Sequence, residues 1–159
     1  MNKEDFSKQV LAAESSLYRV AKSILHNDED CADAIQNGIL KAWEKLDTLR
    51  SVKYFKTWLT RIVINECYQI VRAAQKYVSL DEYPGWDMEA VGRAEEESDV
   101  MIALARLDEK YRLPIVLHEI EGYSVKEIGK ILGLSETNVG NRIFRGKKIL
   151  RKELEGAIS

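Results

Sequence analysis

Apolar side chains recur at spacings of three and four along most of this chain, the period of a helix with one buried face. Phe6, Val10, Ala13, Leu17, Ala21 and Ile24 form one such stripe and predict a helix over 5–26. Asn27-Asp28 supplies a turn and a cap, and His26 ends the first helix. A second helix is predicted over 29–46, with Ile35, Ile39, Trp43 and Leu46 inward. A third runs from Tyr54 to about Gln75, with Phe55, Trp58, Leu59, Ile62 and Ile70 inward. Helices near 98–107 and 110–120 follow, then two more within Ser124–Lys152. Pro114 conflicts with the helix around it, which either starts later, with Pro114 in its first turn, or kinks mildly there. No segment alternates with period two and no hairpin signal occurs, so the chain is predicted to be all-α.

Residues 76–99 break this pattern. They contain a Pro84-Gly85 turn pair, few aliphatic side chains and the acid run Glu95–Glu97. A flexible acidic linker is expected there, joining a helical domain at 1–75 to a second at 100–159. The alternative, a surface loop within one domain, is disfavoured by its length. Charge reinforces the division. The 159 residues carry a net charge of −2, yet residues 76–99 alone hold 2 basic and 8 acidic side chains, net −6. Residues 1–75 are net +1 and residues 100–159 net +3, so the total misrepresents the two helical parts.

Several function classes are set aside by composition. No apolar run approaches the ~20 residues that span a bilayer, and the N-terminus lacks the apolar core of a signal peptide. A cytoplasmic location is expected. Cys31 and Cys67 are far apart, match no metal spacing and read as inert buried thiols. Neither His26 nor His118 stands beside a nucleophile or acid cluster, and no Gly-rich phosphate loop is present. No enzyme, metal, cofactor or small-molecule substrate is expected.

The most informative stretch is SVKEIGKILGLSETNVGNRIFRGKKILRK, Ser124–Lys152. Ser124 and Glu127 form a capping box at the first helix, whose buried side is Ile128, Ile131 and Leu132. Gly129 permits close helix approach. Gly133 ends the helix in the left-handed conformation that glycine adopts cheaply, and Ser135 caps the second helix. In that second helix Val139, Ile143, Gly146, Leu150 and Leu154 face inward, with Asn138, Asn141, Arg142, Arg145 and Lys148 on the other side. Two helices, a glycine turn and a basic second helix are how a helix-turn-helix presents itself to the DNA major groove. Glu136, Thr137, Asn138 and Asn141, near the helix start, are the candidates for reading base edges. Arg142, Arg145, Lys147 and Lys148 are the candidates for holding phosphates.

Two further stretches carry a resemblance. DCADAIQNGILKAW, residues 30–43, resembles region 2 of the bacterial sigma-70 family of RNA polymerase sigma factors, as does FKTWLTRIVINECYQIVR, residues 55–72. LDEKYRLPIVLHEIEGYSVKEIGKILGLSETNVGNRIFRGKKILRKEL resembles region 4. With regions 2 and 4 alone in order, the chain is similar to the extracytoplasmic-function (ECF) subgroup, and the FKTWLTRI wording to its sigma-V type. The resemblance implies two small helical domains on an acidic linker and an alternative sigma factor that directs promoter-specific transcription. It implies that Asp33, Gln36, Asn37 and Lys41 dock on the β′ clamp helices of core RNA polymerase. Asn37 stands where the family usually has an acid, one charge-assisted contact fewer. The loop Asp47–Tyr54, with Lys56, Arg61 and Asn65, matches the part that captures unstacked −10 bases, and region 4 matches the −35 reader and β-flap binder. An anti-sigma factor, membrane-anchored in this family, is also implied, which would hold the chain at the inner face of the membrane.

Opening a duplex costs about 1.4 kcal/mol per stacked step, which a protein without ATPase machinery can offset only by binding the open strand better. Tyr54 suits base stacking or packing equally, whereas Phe55 and Trp58 read as core. Departures from the family are Gly140 and Asn141, where relatives often carry Lys and Ser, and Ala73-Ala74-Gln75, where they often continue with arginines. The linker's acidity also suggests mimicry of nucleic-acid charge in the polymerase RNA-exit path. The rival reading is a stand-alone helix-turn-helix regulator that binds a palindrome as a dimer. The region 2 motifs and the lack of an apolar dimer seam oppose it.

Overall fold

The computed structural model describes residues 1–75 and 98–158. Among these residues every regular element is helical. The chain divides into two compact units, one within residues 1–86 and the other within 87–159. The expected linker and its Pro84-Gly85 turn lie outside the described residues, except that Ser98 and Asp99 already begin the second unit's first helix.

The first unit is a bundle of three mutually packed helices. Helix α1 (Lys3–Leu25) starts where the Asn2 side chain accepts from the Asp5 amide. It ends at His26, whose φ of 63° gives it the left-handed cap usually left to glycine. Helix α2 (Asp28–Glu44) is capped by Asn27 in the same way, with three acids in its first turn facing the positive end of the helix dipole. Two short 3-10 turns, Leu46–Thr48 and Val52–Tyr54, lead into α3 (Phe55–Gln75). Leu17, Val20, Ile24, Leu25, Phe55, Leu59, Val63 and Ile64 form the core. Burying a side chain of this size stabilises by about 1.5–3 kcal/mol.

The buried face of α2 differs from the expected stripe. Cys31, Ala34, Ile35, Gly38 and Ala42 point inward, Ile39 is half-buried and Trp43 is exposed, touching Phe6 edge-on at 5.0 Å between ring centroids. A Cβ on Gly38 would stand 2.7 Å from a Val63 methyl. Close approach of α2 to α3 therefore selects small residues, and the large apolar side chains mark its margin. The two thiols are buried as expected, Cys31 on α2 and Cys67 on α3. Burial raises the Cys31 pKa to about 11.

The second unit comprises α4 (Asp99–Arg106), α5 (Glu109–Ile115), α6 (Val125–Leu132) and α7 (Glu136–Ile158), and α7 packs on the other three. Leu104, Leu107, Ile115 and Val116 form its apolar centre, with Tyr111 and Leu150 against it. The fully buried Arg112 donates to the carbonyls of Ala105 and Leu107, at 3.2 and 2.6 Å, closing the end of α4. Pro114 neither starts the helix nor ends it. It lies inside α5 and removes one i→i−4 donor there, and the chain continues from Val116 to Ile120 as a wider π turn.

Candidate nucleic-acid interface

The turn before α7 forms as its residues dictate. Ser124 and Glu127 exchange hydrogen bonds at 3.0 and 3.1 Å, the reciprocal capping box. Gly133 has φ 69°, and the Leu134 amide donates back to Gly129 at 2.9 Å. Gly129 has a tighter role than helix approach, since a Cβ there would stand 2.7 Å from the Leu134 carbonyl oxygen. Ser135 Oγ accepts from the Asn138 amide at 3.1 Å and caps α7.

Val139, Ile143 and Gly146 are buried on the inner face of α7, and Leu150 and Leu154 are half-buried. Glu136, Thr137, Asn138, Asn141, Arg145 and Lys148 are exposed, and Arg142 is half-buried among them. Arg142 Nε donates to Asn138 Oδ1 at 2.8 Å, so an expected base reader and an expected phosphate holder act as one unit. A groove of about 460 Å³ runs beside this face. Lys110 and Tyr111 of α5 line one wall, and Asn138, Asn141, Arg142 and Arg145 of α7 line the other. Ser135 and Thr137 complete the lining, which contains no acid.

Lys147 is set apart from this group. Five residues beyond Arg142, it is turned about 140° around the helix, and its ammonium pairs with Glu119 of the π turn. Lys147 and His118 together hold the Glu119 carboxyl below its ordinary pKa. His118 is thus a helix residue with a carboxylate partner, its Nδ1 lying 3.2 Å from Glu119.

In the first unit, Asp33, Gln36 and Asn37 share the exposed face of α2. Lys41 is directed elsewhere and pairs with Glu66 of α3, a carboxylate only 5% exposed. Leu40, 61% exposed, sits in the middle of the Asp33–Gln36–Asn37 face. Sequence reasoning missed it, although an aliphatic residue on an otherwise polar face was a readable signal. Arg61 and Asn65, four apart, share an exposed side of α3, whereas Lys56 lies about 140° around the helix from Arg61. Tyr54 is exposed at the end of the second 3-10 turn, with the Lys53 ammonium 5.1 Å from its ring centre. Phe55 is buried against Phe6 and Trp58, with ring separations of 5.7 and 6.0 Å. These two aromatics are packing residues, leaving Tyr54 as the one presented to solvent.

Among the described residues no helix is long and apolar enough to cross a membrane, and no group of three or more His, Cys, Asp or Glu could hold a metal.

Residues 10–77 match the family description "Sigma-70 region 2", and residues 99–150 match "Sigma-70, region 4". The ECF RNA polymerase sigma factor SigM of Mycobacterium tuberculosis is 31% identical over 141 residues, covering 87% of this chain and 71% of that protein. RNA polymerase sigma factor SigV of Bacillus subtilis is 26% identical over 163 residues, covering 97% and 96%. The solved structure of CnrH in complex with the cytosolic domain of CnrY superimposes with a TM-score of 0.73, at 26% identity, covering 98% of this chain and 90% of that one. With both regions matched in order and an ECF relative aligned over most of its length, the chain belongs to the sigma-70 family of RNA polymerase sigma factors, in its ECF group.

Proposed function

We propose that this sigma factor divides promoter engagement between its two units. The exposed α2 face of Asp33, Gln36 and Asn37 docks on the clamp helices of core RNA polymerase, with Leu40 as its apolar centre. An apolar side chain encircled by polar groups is the usual make-up of a strong contact point at a protein interface. Lys41 supports that face by tying α2 to Glu66 of α3. Tyr54, Arg61 and Asn65 meet the unstacked −10 strand, with Tyr54 as the stacking group. Lys56, around the helix from Arg61, is the residue of this set best placed for a backbone phosphate.

The second unit reads the −35 duplex. Thr137, Asn138 and Asn141 approach base edges, and Arg145 and Lys148 hold phosphates. Glu136, at the first position of α7, suits acceptance from a cytosine amino group. The observation that carries the reading is the two-sided α7, apolar and glycine-fitted on one side, amide and cationic on the other. A match over residues 10–77 supports a polymerase-dependent factor over a stand-alone dimeric regulator.

The chain acts by binding rather than by catalysis, in the cytoplasm. Since CnrH was solved with the cytosolic domain of CnrY, we extend a comparable anti-sigma partner to this chain, anchored at the inner face of the membrane. Run-off transcription with core polymerase and a promoter library tests the whole reading. Reproducible start sites absent with core enzyme alone are expected. No selection above core enzyme would sink it.

A further inference from the structure

We propose that Lys110, outside the helix-turn-helix, seats a backbone phosphate of duplex DNA in the groove between α5 and α7. The proposal rests on α7 being a duplex-DNA reader and adds a contact that the recognition helix alone does not supply.

Three observations bring Lys110 there. First, its groove is walled by three cations, Lys110, Arg142 and Arg145, and no acid is among the described residues that line it. Such a concavity attracts an anion, and the regularly spaced anions next to a helix in the major groove are phosphates. Second, the side chain has a fixed base. Its ammonium stands 5.0 Å from the centre of the Tyr111 ring, and Lys110 makes no ion pair among the described residues. Third, α5 lies this close to α7 because position 146 has no side chain. A Cβ there would stand 3.0 Å from Tyr111 Cβ and 2.5 Å from a terminal carbon of Ile115. Gly146 thereby sets the width of the groove and brings Lys110 beside Arg145.

Within the groove the cations separate into roles. Arg142 is held by Asn138 through Nε, which ties it to an amide proposed to approach base edges, so we assign it to the same role. Lys110 and Arg145 are then left for the backbone.

The salt dependence of binding tests this, because each phosphate contact contributes about 0.9 to the slope of log Kobs against log salt on duplex DNA. The full chain is titrated with a short mixed-sequence duplex across a salt series, since phosphate contacts are independent of sequence. Lys110→Gln is expected to reduce the slope by about 0.9 and Lys110→Arg to restore it, while the remote Lys8→Gln leaves it unchanged. An unchanged slope for Lys110→Gln, with a reduced one for Arg145→Gln, overturns the proposal and leaves α7 as the DNA reader. Unchanged slopes for both overturn that reading as well, and the proposal with it.

Discussion

Gly140 sits in the second turn of α7, and apart from the helix's own backbone no atom lies within 4 Å of where its Cβ would stand. Nothing in the packing asks for glycine there, and it weakens the helix by about 1 kcal/mol relative to alanine. Gly140→Ala is therefore expected to stabilise the second unit by about 1 kcal/mol, raising its thermal midpoint by about 4–8 °C. Gly129→Ala should move the midpoint the other way, because its Cβ would meet the Leu134 carbonyl oxygen, which cannot shift without opening the turn. Differential scanning calorimetry of the two variants checks the contrast. At Cys31, burial both hides the thiol and keeps it protonated, with a pKa near 11. Thiol reagents at neutral pH should leave Cys31 and Cys67 unmodified in the folded chain and modify both in denaturant. Labelling of either without unfolding would contradict the packing described.

At the scale of helices, the contact between α2 and α3 depends on what α2 lacks. Gly38→Ala would press a methyl into Val63, with its backbone Cα only 3.2 Å away. A loss of about 1–3 kcal/mol is expected, measured by denaturant unfolding of the first unit. On the opposite face, Leu40→Asp should leave stability nearly unchanged, since the side chain is 61% exposed, yet weaken capture of core polymerase about tenfold or more. A pull-down in which Leu40→Asp binds core enzyme normally would remove α2's exposed face from the proposed dock. Lys41 variants are a poorer probe, because removing the partner of a nearly buried Glu66 destabilises the bundle as well.

Helices are also where sequence and structure can be compared. The order of the helices among the described residues, the caps at Asn27, Ser124 and Ser135 and the left-handed Gly133 were legible, because each depends on residues within one turn of one another. The inward face of α2 was not. Hydrophobic periodicity weighs Ile39 and Trp43 above Gly38 and Ala42, while helix packing at close range does the reverse. The π turn after Pro114 was unreadable for a related reason. The sequence shows the missing donor, but not how the following turn widens, which also involves α6 packed against that turn. The pairings of Lys41 with Glu66 and Lys147 with Glu119 join residues 25 and 28 positions apart, beyond the reach of any local pattern. At the interface, the exposed face of α7 was readable from its period, whereas Lys110 lies outside the motif and becomes a neighbour only through Gly146.

For the whole molecule, the charge distribution now has a structural counterpart. A chain of net −2 presents on one unit a groove lined by three cations and, among the described residues, by no acid, so its overall charge says little about its affinity for DNA. Two compact units, each matching a separate region of the same family, suit a reader that meets duplex and opened DNA at different places. The central claim is this division of labour. It is tested most directly on one promoter selected from the run-off library, by measuring duplex binding and −10 opening side by side for Asn65→Ala and Arg142→Ala holoenzymes. Permanganate reactivity of −10 thymines reports opening, and competition binding to the closed duplex reports the −35 contact. The account predicts that Asn65→Ala loses permanganate reactivity while retaining duplex binding, and that Arg142→Ala loses duplex binding about tenfold or more with normal opening once bound. Equal losses in both measurements for both variants would contradict it.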